Sequence, residues 1–517
     1  MATVELVACW FWVGLALMLP WIILKLWKRG DTGVQNLPPS PWRLPVIGNL
    51  HQVMASGPLL HHAMADLARR LDTPLLYLQL GEVPVVVASS PEAAREITKT
   101  HDLSFANRPW SPSVRVLVAG GDAQGIMFAR YGALWRQVRK ICVLELLSAR
   151  RVRLCRHVRE EEARRLVAAI AAAAAQGKAT VDVGERISAA MTDLVVRLVI
   201  GDRFDRPEEF LQVFKEGKKL ATGKVSLGDL FPSSWIARLL SGNMRRAEAN
   251  HRKMFELMDR AIKQHQERRG NVVEEEDMVD VLLRLQNQDD DLDEPLTMGT
   301  IKSFLRDLFN GGSETAVIEW VMAQLMRNPR VMQKAQAELR ESLQGRQKVT
   351  EDDLNQGFGY RYLKLVIKET LRLNNAVPLL MPRECRETCK IMGYDVPKGT
   401  TVFVNAWAIG RDPKYWVDAE EFIPERFESS AVDFNGTDFE FIPFGAGRRM
   451  CPGMALGLAS HELMLATLLY HFDWELPAGV SPSEMDMTEE MGVTMTSRMK
   501  NGLHLRPIVR VPLKTAT

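Results

Sequence analysis

The chain has 517 residues, which exceeds the length at which a single compact core usually stops growing. Its 66 basic and 64 acidic side chains leave a net charge of +2, so overall charge gives no reason to expect nucleic acid as a partner. With 46% apolar and 25% charged residues, the composition excludes a mainly disordered chain. The six cysteines are too few and too scattered for a disulfide framework, which favours a reducing compartment.

An apolar stretch opens the chain. Leu6 to Leu24 carries no charged side chain over about nineteen residues, enough to cross a hydrocarbon layer roughly 30 Å thick. Lys25, Lys28 and Arg29 follow it, and basic residues after an apolar span favour keeping that flank in the cytosol. We therefore predict a membrane anchor over residues 1–30; a cleaved signal peptide is the alternative.

A proline-rich connector over residues 31–48 follows the predicted anchor. Its four prolines between Leu37 and Pro45 fix φ and predict a stiff, extended linker. Residues 49–517 show no internal repeat and no second linker, so we expect one large folded region. Within it, Leu75 to Leu80 and Val83 to Ala88 flank Gly81 and predict a β-hairpin.

Beyond the hairpin the pattern turns helical, which predicts a mainly α fold with small β-sheets. Arg151 to Gln176 has helical periodicity and an alanine-rich end. The segment from Thr297 to Arg327 predicts a long helix, with Thr297 as its N-cap and Asn328-Pro329 as its end. Gly311 and Gly312 fall in its middle, where each costs about 1 kcal/mol relative to alanine, so we expect a local need for bare backbone.

The most informative segment is the glycine-rich run from Phe444 to Gly453. Cys451 lies just before an apolar helical stretch that begins at Met454, and Pro452 suits the first position of that helix. The amino terminus of a helix presents free N–H groups and partial positive charge, which stabilise a thiolate. A cysteine in such a turn can equally be structural, so the pattern alone does not decide between the two roles.

This run resembles the haem-binding signature of the cytochrome P450 family, Phe-x-x-Gly-x-Arg-x-Cys-x-Gly. Four further motifs of that family stand in the expected order, and the resemblance covers roughly residues 37 to 507. It implies the cytochrome P450 fold, with a single large haem-thiolate domain over residues 49–517 behind an N-terminal transmembrane helix. The further motifs are Trp135 with Arg139, Gly312-Ser-Glu-Thr315, Glu369-Thr-Leu-Arg372 and Pro424-Glu-Arg426-Phe427.

The resemblance also implies a role for each matching residue. Cys451 would bind the iron of haem b, and Glu314 and Thr315 would act on bound dioxygen and its protons. Glu369, Arg372 and Arg426 would form a buried ionic network. Glycine at 311, glutamate at 314 and Asn374-Asn375 depart from the usual family residues. The residues expected around the haem are Trp135, Arg139, Gly311, Gly312, Arg383, Phe444, Gly447, Arg449 and Gly453.

Within the family the chain looks most like plant microsomal, family-71-like members, particularly grass enzymes that oxidise sesquiterpenoids or diterpenoids. This likeness implies an endoplasmic-reticulum anchor, a cytosolic catalytic domain and electrons from NADPH through NADPH–cytochrome P450 reductase, with cytochrome b5 as a further partner. Arg136, Lys140 and Arg448 would either form a basic face toward the reductase or be ordinary solvated charge. A small apolar substrate would contact Phe304, Leu308, Val377, Leu380 and Val493.

Three alternatives stay open. Indole-derived or phenolic metabolites would suit the same chemistry. A haem-thiolate isomerase or dehydratase would work without a reductase, and a non-catalytic haem or lipid carrier would convert nothing. A nucleotide-binding interpretation of Gly445-Ala-Gly447 fails, because Met450 occupies the place of the third glycine.

Overall fold

The computed structural model describes residues 36–117, 124–176, 180–201, 207–220, 226–240, 244–268, 276–288, 293–312, 316–356, 360–491 and 496–513. They form a mainly helical fold with small sheets, as predicted. The helices are α1 Leu50–Ala55, α2 Leu60–Arg70, α3 Pro91–Arg95, α4 Pro112–Leu117, α5 Ala133–Ile141, α6 Ala149–Leu154, α7 Arg156–Ala175, α8 Val183–Ile200, α9 Pro207–Leu220, α10 Leu227–Leu230, α11 Trp235–Leu240, α12 Met244–Arg268, α13 Met278–Asn287, α14 Met298–Gly312, α15 Ala316–Arg327, α16 Pro329–Ser342, α17 Glu351–Gln356, α18 Arg361–Leu373, α19 Ala406–Ile409 and α20 Met454–His471. The strands are β1 Leu75–Leu80, β2 Val83–Ala88, β3 Val181–Asp182, β4 Arg383–Glu384, β5 Cys389–Ile391, β6 Tyr394–Val396, β7 Thr401–Val404, β8 Phe472–Glu475, β9 Glu489–Met491, β10 Ser497–Met499 and β11 His504–Val509.

The predicted membrane anchor, residues 1–30, lies outside these ranges. In the part that is described, no helix is both long enough and apolar enough to cross a bilayer. The proline-rich segment is described from Asn36 onward and lies against the sheets: the amide of Tyr77 donates to the carbonyl of Pro39 at 2.9 Å. The amide of Asn36 donates to the carboxylate of Asp395 in β6 at 3.2 Å.

The predicted hairpin is confirmed, and its two strands belong to a four-stranded sheet. β1 and β2 pair antiparallel from Leu75 opposite Ala88 to Leu80 opposite Val83. The turn between them uses Gly81 at φ +62°, where a Cβ atom would lie 2.6 Å from the carbonyl oxygen of Leu230. β2 then pairs in parallel with β7, and β4 completes the order β1-β2-β7-β4, which places Arg383 at the edge of the sheet.

The long helix predicted from Thr297 to Arg327 is described as α14 and α15, with residues 313–315 between them outside the described ranges. Thr297 caps α14 as predicted, since its hydroxyl accepts a hydrogen bond from the amide of Thr300 at 3.1 Å. Every residue of α15 except Arg327 is buried, so this helix forms the centre of the main core.

The prediction of one helix from Arg151 to Gln176 is wrong in one respect. The chain forms two helices, α6 and α7, which meet at Cys155. Arg159 in α7 is fully buried, and its guanidinium donates to the carbonyl of Val152 at 2.6 Å. The same guanidinium pairs with Glu351. The break between α6 and α7 therefore places the buried charge of Arg159 between the carbonyl of Val152 and a carboxylate.

A buried ionic network connects α18 to the segment that leads toward the cysteine loop. The side chains of Glu369 and Arg372 are fully buried and lie 2.8 Å apart, and Arg426 lies 3.0 Å from the same carboxylate. Arg372 also donates to the carbonyls of Gly410 and Ala419, both at 2.6 Å. The network therefore holds residues 410–427 against α18.

Replacing Glu369 by alanine should destabilise the protein strongly. The change leaves the buried guanidinium of Arg372 without its carboxylate, and breaking a buried pair in this way costs about 3–5 kcal/mol. Urea unfolding of wild-type and Glu369→Ala protein measures the difference. Glu490→Ala is the matched control, because Glu490 pairs with Arg498 at 3.3 Å on the surface and should contribute no more than about 1 kcal/mol. Equal losses for the two variants would contradict the prediction.

Candidate active site

The cysteine loop, residues 444–453, presents Cys451 ahead of α20. The amide of Cys451 donates to the carbonyl of Phe444 at 2.9 Å and closes the loop. The prediction that Pro452 opens the helix is wrong, because Gly453 is the N-cap and α20 begins at Met454. Two residues of turn therefore separate the sulfur from the first residue of the helix.

The thiol of Cys451 is accessible but lies close to other parts of the protein. The residue is exposed, yet burial raises the pKa of its thiol, so protein surrounds it on most sides. The amide of Gly453 donates to the sulfur and lowers the pKa of that thiol, and the guanidinium of Arg139 lowers it further. Both groups favour the thiolate, the form of cysteine that binds metals.

Gly447 is required by packing behind the loop. It has φ +70°, and a Cβ atom there would lie 2.0 Å from the carbonyl oxygen of Thr98 and 2.9 Å from the carboxylate of Asp102. Asp102 in turn accepts hydrogen bonds from the amide of Arg448 and the guanidinium of Arg383, each at 2.9 Å. The loop is thus fixed to the chain segment that follows α3.

Three buried arginines surround this anchor point: Arg108, Arg383 and Arg449. Arg383 pairs with Asp102 at 2.9 Å, and within the described ranges no other carboxylate pairs with any of the three. The remaining donors meet only backbone carbonyls. Arg108 donates to the carbonyls of residues 127, 381 and 382, and Arg449 donates to those of residues 106, 126 and 129.

The arginines repel one another in a poorly solvated place. Burial, together with repulsion from Arg383 and Arg139, lowers the pKa of Arg449 to about 9. Burial also lowers the pKa of Arg108, again assisted by the two neighbouring guanidiniums of the cluster. A buried excess of positive charge is unfavourable until anions join it, so this cluster is suited to bind carboxylates.

Trp135 and Arg139 lie on α5, beside this cluster. The ring of Trp135 is buried, and its Nε1 donates to the carbonyl of Ile126 at 3.1 Å. The guanidinium of Arg449 stacks over the same ring at 4.3 Å. Burial lowers the pKa of Arg139, which is half-buried, and the charge of Cys451 raises it. Helix α5 therefore contributes residues both to the arginine cluster and to the surroundings of Cys451.

On α14, the two glycines have different surroundings. Gly311 is exposed, and a Cβ atom there would meet nothing within 4 Å. At Gly312 a Cβ atom would lie 2.9 Å from the side chain of Val195, so this glycine allows close packing against α8. The predicted catalytic residues Glu314 and Thr315 lie outside the described ranges.

Asp307 joins α14 to the loop that follows α4. Its carboxylate accepts a hydrogen bond from the amide of Met127 at 2.8 Å and pairs with Arg306 at 3.1 Å. A Cβ atom on Gly125 would lie 2.2 Å from the same carboxylate. Burial raises the pKa of Asp307, which shows how little water reaches this contact.

The residues predicted to contact the substrate are only partly accessible. Phe304 is fully buried, whereas Leu308, Val377 and Leu380 are half-buried. Leu380 has φ +50°, and its Cδ1 would lie 3.8 Å from a Cβ atom on Gly445, which places it beside the cysteine loop. Val493 lies outside the described ranges.

Sequence reasoning missed Asp102, Arg108 and Asp307. Arg108 stands alone in an otherwise uncharged run, Phe105 to Trp110, and that isolation was a signal of a buried charge. No comparable signal marks the other two, because the loop amides that they bind, those of Met127 and Arg448, are more than 150 residues away in sequence.

The chain is similar to known proteins over nearly its whole length. The family model described as cytochrome P450 matches residues 38–501. The chain is 48% identical to zealexin A1 synthase of Zea mays, over 92% of this chain and 93% of that protein. It is 47% identical to dolabradiene monooxygenase of Zea mays, with the same two coverages.

Solved structures agree on the fold. A zebrafish cytochrome P450 determined with abiraterone superposes with a TM-score of 0.73 at 24% identity. The match covers 88% of this chain and all of the zebrafish chain.

Replacing Asp307 by alanine should loosen the loop around Met127. The change removes the acceptor of the Met127 amide, whereas Asp307→Asn keeps one, so the alanine variant should be cleaved faster within residues 112–131. Limited proteolysis with mass mapping of the fragments measures the rate. Asp259→Ala, which removes a partly exposed partner of Lys302, should leave the cleavage rate unchanged. A wild-type rate in Asp307→Ala would contradict the prediction.

Proposed function

The chain belongs to the cytochrome P450 family, and from that premise we propose that it inserts one oxygen atom of dioxygen into a sesquiterpenoid or diterpenoid hydrocarbon. It is an oxidoreductase of the monooxygenase type, like its named relatives. The observation that carries the proposal is an accessible thiol beside Arg139 and a buried cluster of surplus positive charge.

The residues around Cys451 and the arginine cluster fit haem b. Haem b carries two carboxylates, which suit three buried arginines of which only Arg383 pairs with a carboxylate in the described ranges. We assign Arg383, Arg449 and Arg139 to these propionates, together with Trp135 and the newly found Arg108. Cys451 would ligate the iron as a thiolate, for which the Gly453 amide and Arg139 already favour deprotonation.

Bound haem with a thiolate ligand supplies dioxygen activation. The chain itself supplies position and protons. Gly311 leaves open space on α14, so the backbone there does not obstruct a flat group. We assign Thr315 and Glu314 to holding and passing protons near that point, as the family motif implies. Phe444, Gly447 and Gly453 shape the cysteine loop.

Electrons would enter from the side of α5. Arg136 and Arg448 are exposed, and their guanidiniums lie 5.8 and 6.0 Å from the ring of Tyr131. Lys140 is also exposed and lies one helical turn beyond Arg136. These three cations form a basic face that suits an acidic partner, for which we propose NADPH–cytochrome P450 reductase, with cytochrome b5 as a second donor.

The choice of substrate is supported by the relatives and by the apolar character of the residues predicted to contact it. Dolabradiene monooxygenase is named for a diene, and this chain resembles it over nearly its whole length. Phe304, Leu308 and Leu380 are apolar, as a hydrocarbon pocket requires. We therefore favour terpenoid hydrocarbons over indole-derived and phenolic metabolites.

We further propose attachment to the endoplasmic-reticulum membrane. Beyond the predicted N-terminal anchor, α11 exposes Trp235, Ile236 and Leu239 on one short helix. Ser233 just before it bonds to Glu82 in the β1–β2 turn, so these apolar side chains lie near the hairpin. Flotation with phospholipid vesicles tests the attachment, and loss of flotation on removing residues 1–30 would show that the anchor carries most of it.

Cys451→Ser should abolish the thiolate type of haem spectrum. Serine keeps the size of the side chain but does not supply the soft thiolate ligand. The measurement is the difference spectrum of the reduced, carbon-monoxide-bound protein. Cys389→Ser is the matched control, since Cys389 is half-buried in β5, and it should keep the wild-type spectrum. An unchanged thiolate band in Cys451→Ser would refute the assignment of the iron ligand.

Turnover should require both dioxygen and the reductase. With terpenoid hydrocarbons, NADPH, reductase and ¹⁸O-labelled dioxygen, the product should carry one labelled oxygen atom by mass spectrometry. Product formation without NADPH and reductase would indicate an isomerase or dehydratase instead. A normal haem spectrum with no conversion of terpenoid, indole-derived or phenolic compounds would indicate a carrier protein.

A further inference from the structure

A second cluster of side chains that could bind a metal lies between helix α2 and strand β9, outside the cysteine loop. His61 and His62 stand in the first turn of α2, and Glu489 opens β9. The Nε2 atom of His61 lies 3.0 Å from one carboxylate oxygen of Glu489, and the Nε2 atom of His62 lies 3.7 Å from the other. One potential ligand atom from each of the three residues lies within 4.8 Å of the others.

The imidazole of His61 is fully buried, and its ring nitrogens lack aligned hydrogen bonds. Neither of its ring nitrogens forms a hydrogen bond with another described residue, although Nε2 is close to Glu489. The Nε2 atom of His62 and the Oε1 atom of Glu489 are also buried without an aligned hydrogen bond. Buried polar atoms are nearly always satisfied, so several unsatisfied nitrogen and oxygen atoms that face one another require an explanation.

A single cation would satisfy them together. We propose that His61, His62 and Glu489 bind one divalent transition-metal ion, for which Zn²⁺ fits best. Zinc takes two histidines and one glutamate at about 2.0–2.2 Å in tetrahedral sites with an open fourth position. Tetrahedral geometry at those lengths separates neighbouring ligand atoms by about 3.3 Å. The nitrogen–oxygen separations of 3.0 and 3.7 Å run to the two different oxygens of Glu489, and one ligand atom from each residue lies within 4.8 Å of the others, so small side-chain rotations bring the three to that spacing.

The surroundings hold the two rings in place. The rings of His61 and His62 are almost perpendicular, at 86°, with centroids 4.5 Å apart. Trp407 packs against both rings, at 5.4 Å from His61 and 4.1 Å from His62. The side-chain amide of Asn405 donates to the carbonyl of His61 at 2.9 Å and fixes the backbone of His61. The rings are therefore preorganised, which lowers the entropic cost of binding an ion.

Nearby charges act in both directions. Arg411 stacks over Trp407 at 4.4 Å, and both it and the amino terminus of α2 disfavour a cation. Arg411 is itself paired with Glu420 at 3.2 Å, and Asp66 lies one turn beyond His62. A buried histidine–glutamate ion pair without metal is the competing description, in which His62 lies 3.7 Å from the carboxylate and packs against Trp407.

The test uses the full-length, haem-loaded protein, dialysed first against a chelator and then given Zn²⁺ alone. After desalting, elemental analysis should find one zinc per chain, and X-ray absorption at the zinc edge should show two imidazoles at about 2.0–2.1 Å. His62→Ala and Glu489→Gln should weaken zinc binding by more than about tenfold, because losing a ligand costs more than losing its support.

His504→Ala is the matched control, since His504 pairs with the single carboxylate of Asp182 at 3.8 Å on the surface, and it should bind zinc like wild type. The carbon-monoxide spectrum of each variant reports whether the haem domain is intact, so a failure of the zinc site is distinguishable from a failure of the monooxygenase assignment. Absence of retained zinc in wild type overturns the proposal. Retention that is equal in wild type, His62→Ala and Glu489→Gln also overturns it, because the ion then binds elsewhere.

Discussion

The buried carboxylate of Glu369 is the constraint on which the site depends most. Two arginines and the amide of Ile423 share its two oxygens, at 2.8–3.0 Å. A charge so deeply buried is tolerable only while every partner is in place. Because Arg372 also binds backbone carbonyls of residues 410, 419 and 421, the path of the chain toward the cysteine loop is fixed by electrostatics as well as by apolar packing.

The cysteine loop has its own constraint on the other side. Asp102 binds the Arg448 amide and Arg383, and Gly447 lacks the side chain that would collide with it. One carboxylate beside three buried guanidiniums leaves positive charge unbalanced. Binding of a dicarboxylate cofactor would relieve this repulsion, so part of the cofactor's affinity comes from strain between charges that the fold itself maintains.

The sequence predicted the parts of this arrangement whose signals are local. The hairpin around Gly81, the Thr297 cap and the helix after Cys451 follow from short patterns, and the structure has all three. The apolar stretch predicted from Met454 matches the start of α20, but Pro452 lies in the preceding turn, because proline suits a turn as well as a first helical residue. Family motifs brought Glu369, Arg372 and Arg426 to notice. Asp307 and Arg108 act across long sequence separations, and no periodicity encodes such contacts.

The polar groups near the predicted substrate side are already engaged, which bears on how selectivity arises. The carboxylate of Asp307 binds the Met127 amide and Arg306, so its hydrogen-bonding capacity is used in holding a loop. Phe304, Leu308, Val377 and Leu380, which we propose for substrate contact, carry only apolar side chains. A pocket lined by them would distinguish substrates by about 1–3 kcal/mol per methylene, through shape rather than through hydrogen bonds. Under that proposal, exchanges among these side chains would redirect oxidation and leave the charged residues around Cys451 unchanged.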